Sequence, residues 1–153
     1  MRLTQSLAIF PICESDDYGS AGEDFDSFKL SLLNHATVII SFGELTGDSV
    51  LKVYSGASAG TKDTAETFTY RLAGADYEAA NSDLWGTETT SDGLTLSDTT
   101  YDHRGLAIEI DPATITEDQE WITVEVDSTA TVLNMAAVLV AEPKWAPSPT
   151  VLA

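Results

Sequence analysis

Thr37-Val-Ile-Ile-Ser-Phe42, Gly43-Glu-Leu-Thr-Gly-Asp48 and Ser49-Val-Leu-Lys-Val-Tyr54 decide the fold class between them. Val38, Ile40 and Phe42 recur at every second position, as do Leu51 and Val53. A period of two sends alternate side chains to opposite faces of a strand. Gly43, Gly47 and Asp48 lie between the runs, and such residues tolerate the backbone of tight turns. The stretch therefore reads as an antiparallel hairpin with one buried face. A single hairpin is not stable in water, so further strands must pack against it.

The flanking sequence supplies them. Phe28, Leu30 and Leu32 alternate ahead of Asn34 and His35, as one bent strand or two short ones. Phe68, Tyr70 and Leu72 alternate with Thr67, Thr69 and Arg71, which predicts a strand over 66–72. Leu94 and Leu96 mark a weak strand. Leu106, Ile108 and Ile110 mark a strong one that Pro112 ends. Ile122, Val124 and Val126 share a face, with Trp121, Thr123 and Glu125 on the other. The run 131–141 is apolar at both parities, as in a central strand covered on both sides. Leu7 to Phe10 predicts a short strand or arm. The segments 14–26 and 56–63 read as loops, and 75–83 could form one helical turn.

No run predicts a helix of three turns, and there is no internal repeat. The expected fold is all-β: a two-sheet antiparallel sandwich, jelly-roll-like, of about eight strands. Three regions are expected: an N-terminal arm and acidic loop over 1–27, the sandwich over 28–142, and an extended Pro-rich tail over 143–153.

The 153 residues include 25 acids and 7 bases, a net charge of −18, and 43% are hydrophobic. That is enough apolar sequence for a core and argues against global disorder. Nucleic acid and anionic membranes would be repelled. Between Asp76 and Asp127 there are 14 acids and one base, Arg104. This is first a solvated acidic face, and only second an adaptation to salt or a means of capturing Ca²⁺. Cys13 is the only cysteine, so no internal disulfide can form. The first residues do not read as a secretory signal, and no stretch approaches the ~20 apolar residues of a membrane span.

The search for chemistry is short. His35, His103 and Cys13 match no metal-ligand spacing. His103 sits in Tyr-Asp-His-Arg-Gly, an expected exposed turn, and no nucleophile-elbow motif is present. An enzyme would require His35 and His103 to meet beside a cleft. Asp16, Asp17, Glu23, Asp24 and Asp26 lack the order of a calcium loop and read as solvated acids. No catalytic, cofactor or metal residue is therefore assigned.

The aromatic residues are more suggestive. Trp85, Trp121 and Trp145 all stand in polar surroundings, as rim residues, as contacts to another chain, or as platforms for a sugar. Phe10, Trp121, Pro143, Trp145 and Pro147 are the candidate interface residues. Trp145, in its Pro-flanked tail, is the one most expected to dock on another chain.

The order of strands continues through Glu66-Thr-Phe-Thr-Tyr-Arg-Leu, Trp85-Gly-Thr-Glu-Thr-Thr, Ile108-Glu-Ile-Asp-Pro, Trp121-Ile-Thr-Val-Glu-Val-Asp and Val140-Ala-Glu-Pro-Lys-Trp-Ala. Over residues 28 to 147 this pattern resembles the capsid decoration (cement) proteins of tailed bacteriophages. The resemblance implies a jelly-roll-like virion protein without catalytic residues, made in the host cytoplasm. It also implies binding to the major capsid protein on the capsid exterior, and self-association, with trimers allowed. The alternative expectation is a carbohydrate- or receptor-binding module of a phage fibre, stacking sugar on Trp85 or Trp121.

Overall fold

A computed structural model describes residues 6–77, 79–80 and 83–144. Among the described residues twelve strands, rather than about eight, form two antiparallel sheets, so the expected sandwich is found. The first sheet has the order β1 (Ala8–Asp17), β12 (Val132–Pro143), β4 (Leu33–Thr46), β10 (Gly105–Ile110), β7 (Phe68–Leu72) and β8 (Thr89–Ser91). The second is centred on β11 (Trp121–Ser128) and β5 (Ser49–Gly56). β2 (Glu23–Asp24) and β3 (Phe28–Lys29) pair with β11, and β6 (Thr64–Glu66) and β9 (Leu94–Leu96) pair with β5.

The pairings are nested. β1 takes β12, β2 and β3 take β11, β4 takes β10, and β5 takes β6 and β9. A chain folded back on itself in this way, and rolled so that alternate pairs fall in opposite sheets, is a jelly roll. β7 and β8 extend the first sheet beyond β10.

The alternation in the opening stretch describes the faces correctly: Val38, Ile40, Phe42, Leu51 and Val53 are all buried. The hairpin is a different matter. β4 pairs with β10 and β12, β5 pairs with β11, β6 and β9, and the two do not pair with each other. The chain crosses between sheets at Gly47, whose φ of +102° suits glycine. Gly43 is not a turn residue. It lies inside β4 at a bulge, where the register with β12 shifts between Leu133–Leu45 and Met135–Phe42.

Three other expectations are corrected. The acidic stretch 14–26 is not simply a loop: β1 runs through Asp17, Gly19–Ala21 is a 3₁₀ turn, and β2 follows. β1 and β2 are thus edge strands of the two sheets, and the sandwich includes residues ahead of Phe28. The strand expected over 66–72 is broken at Thr67, so β6 joins the second sheet and β7 the first. β12 is central, between β1 and β4, but only one face is fully buried. Leu133, Met135, Ala137, Leu139 and Ala141 point inward, while Val132, Val138 and Val140 remain half-buried on the outside.

The core lies between the sheets. Phe42, Leu106, Ile108, Leu133 and Leu139 meet Leu51, Leu96, Ile122, Val124 and Val126, each at most 1% exposed. Each such side chain contributes about 1.5–3 kcal/mol on burial. Between β9 and β10, Asp98–Tyr101 makes one helical turn that tucks Tyr101 edge-on against Phe42. No helix among the described residues is long and apolar enough to cross a membrane.

Candidate interaction surface

The outward side of the first sheet can be read row by row from its register. Pro11 stands beside Val138, Val138 beside Ile39, and Ile39 beside Ala107. The next row runs Ile9, Val140, Thr37 and Glu109, and the row on the other side holds Ala136, Ser41 and Gly105. Within these three rows Glu109 is the one charged residue, and its carboxylate accepts the Thr37 hydroxyl at 2.8 Å; Glu142 of β12, Glu44 of β4 and Glu14, Asp16 and Asp17 of β1 lie beyond them.

The segment 73–88, which joins β7 to β8, adds to this surface. Trp85 bridges to Ala73, and its ring lies on Gly105. Arg104 fastens the segment, donating Nε (3.0 Å) and a second guanidinium N–H to Ala73 O and a third to Thr100 O. Ala73 N donates to Gly105 O, and Tyr77 N to His103 O. Arg71 bonds Gly86 O at 3.2 Å and pairs with Glu88 at 2.9 Å. Between Trp85, Ile39, Ala107, Thr37, Arg71 and Glu109 lies a shallow cavity of about 360 Å³.

The large hydrophobic side chains left exposed among the described residues are Ile9 (40%), Ile39 (38%), Tyr77 (60%), Leu84 (58%) and Trp85 (46%). All five belong to this sheet or to the segment over its end. The outside of the second sheet is different. Lys62 bridges Asp24 (3.0 Å) and Glu125 (2.7 Å), and Asp127 and Lys52 stand nearby on β11 and β5. Exposed apolar residues are ordinary when scattered; gathered on one side they mark a contact surface.

The candidate interface residues are placed as follows. Phe10 faces the core and packs partly buried against it, and its neighbour Ile9 is the one that points out. Trp121 is half-buried on the other sheet, with Lys29 Nζ 5.9 Å from its ring centroid. Pro143 closes β12 opposite Leu33 and is half-buried. Trp145 and Pro147 lie outside the described residues. Ile9, Ile39 and Val138 were not singled out by sequence. For Val138 the signal was the second apolar parity of β12, which reads equally well as a covered strand; Ile39 stands between Thr37 and Ser41 and Ile9 ahead of Pro11, with no such parity.

The ionisable groups hold structure together. His35 pairs with Glu142 near the start of β4, whereas His103 N donates to Gly43 O eight residues further along that strand. At about 3.4 Å per residue they are roughly 27 Å apart, so the meeting an enzyme would need does not form. Asp102 accepts Leu45 N at 2.8 Å, and its other oxygen is 3.8 Å from His103 Nε2, beyond hydrogen-bond range. Asp17 Oδ1 accepts Gly19 N and Leu133 N, and Asp24 belongs to the Lys62 bridge. No three His, Cys, Asp or Glu converge on a cation site among the described residues.

A cavity of about 520 Å³ opens at the sandwich edge between Val53, Phe68, Ile110 and the acids Glu66, Glu88, Glu109 and Asp111. Glu66 is 7% exposed. Burial pushes its pKa up, but bonds from Ser55 Oγ and Thr116 N outweigh burial and hold it below the usual carboxylate value. An ionised carboxylate satisfied by a hydroxyl and an amide closes the β5–β6 edge. The residues lining this cavity include no histidine.

No family model, curated protein or solved structure matches the chain.

Proposed function

We propose that this chain is a non-enzymatic structural protein of a virion, which binds the outer surface of a bacteriophage capsid and stabilises it. The observation that carries the reading is the division of the surface. Among the large exposed hydrophobics of the described residues, Ile9, Ile39 and Trp85 lie on one side of the sandwich and Tyr77 and Leu84 in the segment over its end, in a chain of net charge −18. Such a body adheres through one side and stays soluble and clear of nucleic acid through the rest. The likeness of its strand order to decoration proteins supplies the partner, the major capsid protein. The Pro-rich C-terminal segment from Pro143 is the arm that reaches the shell, and repeated weak contacts on a repeating lattice add up through avidity. The test is to digest purified particles with protease before and after disruption. Peptides of this chain should be released from intact particles, and their absence from disrupted particles would rule the reading out.

A second reading has one observation in its favour. Trp85 borders the 360 Å³ cavity together with Arg71, Glu109 and Thr37, an aromatic ring beside groups that bind hydroxyls. Trp121, with Lys29 over its ring, is the poorer platform. Glycan-array binding that disappears in Trp85→Ala and survives in Trp121→Ala would establish a saccharide-binding module.

A further inference from the structure

We infer that the outward face of β1, β12, β4 and β10 takes a second copy of this chain, the two sheets packing face to face about a two-fold axis. The inference rests on the adhesive reading above, but does not need the capsid. Strand addition between copies is the first alternative, and the edges argue against it. β1 is interrupted by Pro11 and by two register shifts against β12, β8 and β6 are three residues long, and β2 is the acidic pair Glu23–Asp24. Such edges are blunted against pairing. A flat face is what remains.

Charge selects which face. Two copies that each carry −18 repel unless they meet where the acids are not. In the rows Pro11–Val138–Ile39–Ala107 and Ile9–Val140–Thr37–Glu109 only Glu109 is charged. Face-to-face contact turns the Asp24, Glu125 and Asp127 side of each copy outward, as far from its equivalent as the fold permits. A contact between identical faces closes at two copies, because the same patch serves both partners.

Area sets the strength. Four strands about 4.8 Å apart and five residues at about 3.4 Å make a patch of roughly 300 Å². Trp85, whose ring lies on this face, adds roughly 100 Å². Two copies would bury roughly 800 Å² in total, below the standard size and in the range of weak, transient contacts. The pairing is therefore weak, and it strengthens with salt as the charges are screened.

The experiment is sedimentation equilibrium of the full chain at increasing concentration, in about 0.05 M and about 1 M NaCl. The weight-average mass should rise from 16.3 kDa towards twice that value, and rise further in high salt. Ile39→Glu and Trp85→Ala should each hold the protein at monomer mass with an unchanged circular dichroism spectrum. Tyr54→Glu, on the other sheet, should leave the dimer intact. A monomer at every concentration and salt, a trimer, or a dimer indifferent to both Ile39→Glu and Trp85→Ala would overturn the inference. The capsid reading fails separately, through absence of the chain from particles.

Discussion

Val138 and Ile39 stand opposite each other on two adjacent inner strands of the first sheet, and both point away from the core. Their inward neighbours, Leu139 and Val38, form the adjacent pair and are fully buried. The same two strands thus carry one apolar face that forms the core and another that the described residues leave partly exposed.

Substitution should separate these faces. Ile40→Ala removes a fully buried side chain and should cost about 2–5 kcal/mol in urea unfolding. Ile39→Thr, one residue away, should change stability by no more than about 0.5 kcal/mol. Equal losses at both positions would contradict the orientation of β4.

Gly22→Ala should damage the β2 edge. Its φ is +65°, and a Cβ would sit 2.2 Å from Val126 O, a backbone atom that cannot move without β11. Strain of this kind costs about 1–3 kcal/mol. Hydrogen exchange should quicken at Phe25 N, which bonds Val124 O, and unchanged exchange there would argue against the close approach.

Arg104→Ala should release the segment that holds Trp85. Three guanidinium bonds to Ala73 O and Thr100 O disappear, leaving the carbonyl of buried Ala73 short of donors. The expected result is a loss of about 1–3 kcal/mol, with faster proteolysis between residues 74 and 88. A protease-resistant variant would show that the segment is held by packing alone.

Acid should weaken the protein partly through Glu66. Its folded pKa lies below the unfolded value, so its contribution is fully present above the ordinary pKa of 4.5 and lost as pH falls through the folded value. Glu23 acts in the opposite sense. Burial, then Asp24 and Asp26, raise its pKa, so protonation relieves it. Chemical denaturation between about pH 3 and pH 7 should show a shallower acid loss for Glu66→Gln and a steeper one for Glu23→Gln. Parallel profiles for all three proteins would contradict both assignments.

Period-two patterns made the faces of β4, β5, β10 and β11 legible, because each has one wholly apolar parity. They could not say which sheet a strand joins. Burial of Val38, Ile40, Leu51 and Val53 looks the same in a hairpin and in a crossing between sheets, and only pairing tells them apart. Thr67 hid the break between β6 and β7 because the alternation passes through it unchanged. Glu14–Asp17 read as loop because an edge strand with polar residues on both faces leaves no apolar period. The outward residues Val138 and Val140 made 131–141 look like a strand covered on both sides. A sequence cannot show that the described residues leave that second face partly exposed.

The most direct test of the account is co-sedimentation of the full chain with emptied capsids of the phage that, on the proposed reading, encodes it, beside a chain ending at Glu142. The account predicts that the full chain pellets with the shells to a saturating ratio and the shortened chain stays in the supernatant. A full chain that remains in the supernatant at every shell concentration would contradict it.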